Sequence, residues 1–125
     1  MKLSLIKFLP AIIWLLVSIW LLTMPGSKIP HEDWFETLQV DKWVHVFLFF
    51  FLCFLFMLPL KAQIIRNKIY WFVAIVFLGI MYGIAIEFIQ RDYIANRSFD
   101  IWDIAADIVG CSTAFAVARK KLVGI

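Results

Sequence analysis

The sequence predicts an all-α fold, a four-helix transmembrane bundle, on three observations. Hydrophobic residues make up 64% of the 125-residue chain, against roughly 45–50% in ordinary globular domains. The excess is gathered into four apolar runs, roughly 6–24, 43–60, 69–89 and 99–118. Each run approaches the ~20 residues that a helix needs to cross ~30 Å of hydrocarbon. The charges are also segregated. Lys2, Lys7, Lys61, Arg66, Lys68, Arg119, Lys120 and Lys121 occupy the N-terminus, the second connection and the C-terminus, segments that contain no Asp or Glu. The acidic residues belong to the first and third connections or to the helix halves beside them. Under the positive-inside rule both termini and the second connection are cytoplasmic. The length allows one domain, 1–125.

Phe8 to Met24 is longer than the 7–15 apolar residues of a usual signal peptide, and no A-x-A-like site follows it, so it reads as a retained first helix. Pro10 sits in its first turns, where a missing N–H matters least. Pro25-Gly26-Ser27 ends it and opens an external connection. There Trp34, Phe35 and Leu38 share one side of a short interfacial helix, with Glu32, Asp33 and Glu36 mostly on the other; an irregular loop anchored by Trp34 is the alternative. The second helix begins at D-K-W-V-H, where Asp41 and His45 are one turn apart and can share a face. Lys42 extends towards headgroups, Trp43 belongs to the interfacial belt, and Pro59 with Lys61 closes the run. The third helix starts at Tyr70 and Trp71. Its Gly79-x-x-x-Gly83 motif lets a neighbour approach closely, and Glu87 and Gln90 continue the same face. Arg91 to Ser98 is a short connection rich in turn-formers. Cys53 and Cys111 lie mid-helix in apolar surroundings and read as packing residues.

The fourth helix carries the costliest sequence feature. A carboxylate near the centre of a spanning helix costs roughly 2.5–3.5 kcal/mol on insertion scales, so several together need a reason. At 100° per residue Asp100, Asp103, Asp107 and Gly110 fall within about 80° of one another, while Ile101, Ile104, Ile108 and Val109 lie off that stripe. The third helix presents a matching face of Gly79, Gly83, Glu87 and Gln90, and the two faces are expected to meet. His45, Glu87 and Asp103 all lie roughly 5–6 Å inside the outer ends of their helices, at 1.5 Å per residue. They are the candidate catalytic groups, an acidic floor beneath a rim of Lys42, Gln90, Arg91 and Arg97. Asp41, Asp100 and Asp107 complete the candidate substrate-binding set. Asp107 lies about 10 Å deeper than Asp100, opposite Gly83, and is expected to act as a neutral hydrogen-bonding group rather than as a base.

These residues resemble the VanZ-like family of small bacterial membrane proteins. One block is similar to D-K-x-x-H, matched by Asp41, Lys42 and His45. The other is similar to E-x-x-Q, a short connection, then R-x-x-[DS]-x-x-D-x-x-x-N-x-x-G, matched by Glu87, Gln90, Arg97, Asp100, Asp103 and Gly110; Asp107 stands where the family usually has Asn. The resemblance covers roughly residues 10–118. It implies a multi-pass protein of the bacterial inner membrane and an association with glycopeptide (teicoplanin-type) resistance.

Three readings of the site follow. In the first, His45 with Asp41 or Glu87 supplies acid–base chemistry on a lipid-linked cell-envelope precursor, and Arg91, Arg97 and Lys42 hold an isoprenoid-linked phosphate. In the second the same groups bind such a lipid without turnover. In the third the charges are ion pairs that fix helix packing. The expected partners are membrane lipids and not nucleic acid, because short basic flanks on spanning helices are topological signals. His45, Glu87 and Asp103 offer nitrogen and oxygen ligands, but no compact motif such as H-E-x-x-H is present. No metal and no cofactor are expected.

Overall fold

The computed structural model describes residues 4–28, 32–61 and 66–124, without the side chains of Phe35 and Glu36. Lys2 and the middle of the second connection, both read above from the sequence, lie outside these residues. The chain forms α1 (Leu9–Leu22), α2 (Asp33–Thr37), α3 (Val40–Met57), α4 (Lys68–Tyr93) and α5 (Ile101–Ala118), with no strand among the described residues. With the short turns that extend them, α1, α3, α4 and α5 give four helices long and apolar enough to cross a membrane. The chain is a multi-pass membrane protein.

The boundaries differ from the apolar runs where local chemistry decides them. Gln39 adopts a left-handed conformation at φ 55°, and α3 starts directly after it, so Asp41 and Lys42 stand in the first helical turn. Polar Gln90, Arg91 and Asp92 continue α4 to Tyr93, beyond the apolar run. Asp100 is not part of a helical stripe. It is the extended N-cap of α5, and its side chain accepts from Trp102 N at 2.9 Å, satisfying one of the amides that a helix start leaves without a partner. The first connection does contain a short helix, α2, only five residues long, and not an irregular loop throughout. Trp34 and Leu38 are exposed, whereas the Phe35 and Glu36 parts of that expectation lie outside the described side chains.

α3 packs against α5 most extensively, then α4 against α5. The core between them is Phe49, Cys53, Met57, Phe72, Cys111 and Ala114. The two expected faces meet only in part. A Cβ on Gly83 would stand 2.5 Å from Asp107 Oδ2, so α4 does receive α5 there. Gly110 instead faces α3, where its missing side chain admits the Val46 carbonyl and the Phe50 amide. Gly79 makes room for the thiols of Cys53 and Cys111, both free and buried. Ile104, expected to face lipid, is buried; a helix wedged between two neighbours has less outward surface than a two-faced wheel assumes. α1 is the most peripheral span, only 17% buried.

Candidate functional site

The first turns of α3 and α5 and the last turns of α4 converge at one end of the bundle. His45, Glu87, Gln90, Asp103 and Asp107 are buried there. His45 Nδ1 lies 2.8 Å from Asp107 Oδ1. An ionised carboxylate only accepts, so opposite it Nδ1 carries the proton; in a neutral imidazole Nε2 then keeps the lone pair. Nε2 is turned towards Asp103, 3.5 Å from Oδ2. The imidazole also lies parallel to the neighbouring Phe49 ring. Glu87 Oε1 accepts from the Asp100 amide at 3.0 Å. Glu87 Oε2 and Asp107 Oδ2 are buried without a hydrogen-bond partner.

Lys42 is the cation of this end. Its ammonium bonds Asp41 and lies 2.7 Å from Asp100 Oδ2 and 2.8 Å from Asp103 Oδ1. It therefore folds inward instead of reaching for headgroups, because three carboxylates in a poorly hydrated site hold an ammonium more strongly than the interface does. Burial pushes the Asp100 carboxyl up, but the Lys42 ammonium and the Trp102 amide outweigh it and hold the group below the usual carboxylate range.

The expected basic rim is not formed. Arg91 is paired with its neighbour Asp92, Nε to Oδ1 at 2.8 Å, and its guanidinium lies over the Phe88 ring. Both are exposed. Arg97 Nε donates to the Met24 carbonyl at 2.9 Å and Nη2 to that of Leu21 at 3.4 Å. The last carbonyls of α1 have no helical partner, and a cation suits the negative end of the helix dipole. Partial burial moves the Arg97 pKa down, against the upward pull of Asp103 and Glu87. Gln90 Nε2 donates to Leu22 O at 2.7 Å, again capping α1 and not facing a ligand. Asp41 pairs with Lys42, so the expected His45–Asp41 couple is replaced by His45 with Asp107 and Asp103. Glu87, which the sequence places level with His45 beneath a rim of Gln90 and Arg97, bonds the Asp100 amide.

Other polar groups escaped sequence reasoning. Ser18 Oγ and Tyr82 Oη lie 2.7 Å apart, and Trp14 Nε1 donates to Leu48 O at 2.9 Å. The signal available was a lone Ser in an apolar run and a Tyr beside Gly83. Below the polar end, a cavity of about 300 Å³ opens between α1, α3 and α4, lined by Leu15, Leu52, Phe56, Ile75 and Tyr82 among others.

The site combines an oriented imidazole, carboxylates with spare lone pairs and an internal ammonium. It can move protons and bind a cation; among the described residues no arginine faces it to hold a phosphate directly. No protein-family model matches the chain, and no solved structure matches it. The chain is 30% identical over 103 residues to an uncharacterized protein of Schizosaccharomyces pombe, an alignment that covers 82% of this chain and 56% of that protein. The matched part thus spans little more than half the length of that relative.

Proposed function

We propose that this protein is a VanZ-like enzyme of the bacterial inner membrane. On this reading His45 performs acid–base chemistry on the headgroup of a lipid-linked cell-envelope precursor at the outer face. The observation that carries it is the buried Asp107–His45 couple with Nε2 directed at Asp103. An imidazole held on one nitrogen by a buried carboxylate is prepared for proton transfer, which contributes about 10²–10⁴-fold where it operates. A packing histidine has no need of the second carboxylate. Two further observations support the reading. The cavity below the centre is apolar, suits an acyl or isoprenoid chain, and at about 300 Å³ matches the low end of ligand pockets, roughly 300–1,000 Å³. Residues of both sequence blocks that carry the VanZ resemblance, Lys42 and His45 of one and Glu87, Asp100 and Asp103 of the other, lie at this centre, and positive-inside charge segregation favours its outward placement. Altered exposure of such a precursor is the route by which tolerance to teicoplanin-type glycopeptides would follow.

A structural role is favoured by one set of contacts only. Lys42 ties α3 to Asp100 and Asp103, and Arg97 ties the third connection to α1. Those two residues act as packing groups whichever reading holds. The deciding experiment reconstitutes the chain with isoprenoid-phosphate lipids and follows them by mass spectrometry. Native protein should retain and convert the lipid, and His45→Gln should retain it without converting it. Retention without conversion by the native protein would refute the enzyme reading and leave a binding protein. No retention at all would leave the packing role.

A further inference from the structure

We propose that His45 Nε2 and one carboxylate oxygen each from Glu87 and Asp103 form a binding site for a divalent transition-metal ion of the zinc type. Its catalytic use rests on the reading above, with the open coordination position of a bound ion facing the headgroup and His45 Nε2 serving as a ligand in place of a proton carrier; its existence does not rest on that reading.

Geometry supports it first. One ligand atom from each of the three residues lies within 4.8 Å of the others, and all three residues are buried. The Nε2–Oδ2 separation of His45 and Asp103 is 3.5 Å. Two ligands about 2.1 Å from a tetrahedral ion stand about 3.4 Å apart. That spacing is too long for a good direct hydrogen bond and fits two donors around one ion.

The supporting contacts have the form that metal ligands take. A ligating histidine donates its other N–H to a carboxylate, which fixes the tautomer and leaves the second nitrogen free for the metal. Asp107 occupies that position on Nδ1 at 2.8 Å. Glu87 is oriented by the Asp100 amide on Oε1, and Asp103 by Lys42 on Oδ1.

An independent observation points to a ligand. Glu87 is 0% exposed, yet its Oε2 has no hydrogen-bond partner. A buried carboxylate oxygen left this way has lost its water with no partner in exchange, which is costly. The second acidic group, Asp41 with Asp100 and Asp103, needs no such ion because the Lys42 ammonium already lies among those carboxylates.

One imidazole nitrogen with two carboxylates favours zinc, manganese or iron over calcium and magnesium. Three protein ligands leave a coordination position open, as at catalytic zinc sites. The ligands come from α3, α4 and α5, 42 positions between His45 and Glu87 and 16 between Glu87 and Asp103. A site assembled from three helices leaves no compact motif in sequence.

The test uses detergent-purified full-length protein stripped with chelator, with metal ions alone as probes. Equilibrium dialysis with Zn²⁺ should give one ion per chain. His45→Gln and Glu87→Gln should each weaken binding at least 100-fold, and Asp107→Asn, a positioning change, by less than either. Asp92→Asn, an exposed carboxylate outside the site, should bind as the native chain does. Co²⁺ in the native protein should show the visible bands of tetrahedral nitrogen–oxygen coordination. The proposal is overturned by sub-stoichiometric zinc in the native chain, or by His45→Gln and Glu87→Gln binding as tightly as native. If those variants fail to fold, the native cobalt spectrum decides, and a spectrum of hexaaqua cobalt overturns it. None of these readouts involves a lipid, so failure here and failure of lipid conversion are separate results.

Discussion

Alanine in place of Gly110 probes the contact on which the site depends. The added Cβ would stand 3.0 Å from Phe50 N and 3.2 Å from Phe49 Cβ, and closer still to the Val46 carbonyl oxygen. Comfortable carbon contacts begin at about 3.5 Å. The oxygen and nitrogen are helical backbone and cannot swing aside as a side chain does. α3 and α5 must therefore separate by about half an ångström or more. Overpacking of this kind costs about 1–3 kcal/mol, and a backbone obstacle puts the expected loss in the upper half, about 2–3 kcal/mol. The better helix propensity of alanine gives little compensation, because spanning helices persist when a bundle comes apart in detergent. SDS titration in mixed micelles, followed by tryptophan fluorescence, reads the loss directly. Ser112→Ala is the control, since Ser112 is exposed on the same helix. A Gly110→Ala chain within about 0.5 kcal/mol of that control, inside the usual range for surface changes, would refute the close α3–α5 packing and the site built on it.

Gly83→Ala should behave differently, because its Cβ meets the Asp107 carboxylate and not backbone. Stability should fall by less than in Gly110→Ala, while zinc affinity drops as Asp107 leaves His45 Nδ1; equal zinc affinity would contradict that placement. Ser18→Ala and Tyr82→Phe should each cost about 0.6 kcal/mol, up to ~1.7, typical of hydrogen bonds within bilayers. Because they share one bond, the double variant should cost less than the sum, and strict additivity in the SDS assay would count against the bond. Single cysteines at Ser27 and Asn96, in a chain with Cys53 and Cys111 replaced, should both react with an impermeant maleimide from outside intact cells. Reaction only after permeabilisation would reverse the orientation.

What the sequence disclosed was set by periodicity and by the cost of burying charge. Apolar length located the four spans, and the carboxylates at positions 87, 103 and 107 had to be buried among partners. The face of Gly83 could be read for the same reason, since a missing side chain opposite a carboxyl group leaves room for it. The direction in which long cations point could not be read. Lys42, Arg91 and Arg97 each have several rotatable bonds, and their partners were set by tertiary neighbours: three carboxylates, an adjacent Asp92, and the open carbonyls of α1. The Asp107–His45 couple was missed because depth along α5 was compared with α4 and not with α3, which lies closer to it. Asp100 was placed on the stripe because a helical wheel does not show where the helix begins. Its side chain capping Trp102 N settles that.

The attachment of α1 has a consequence for how the chain is made. α1 is joined through Ser18 to Tyr82, Leu22 to Gln90 and Leu21 to Arg97, sequence separations of 64, 68 and 76 residues. The groups that receive it are therefore synthesised long after it has entered the bilayer. At roughly 5–20 residues per second, 76 residues correspond to about 4–15 s of translation. During that interval α1 can already lean on α3 through Trp14 and Leu48, but its final carbonyls face only water and lipid headgroups. Nascent chains stalled before Tyr82 should show α1 crosslinking to α3, and only chains stalled well beyond Arg97 should show its end crosslinked to the third connection. The end of α1 is, on this geometry, made early and capped late.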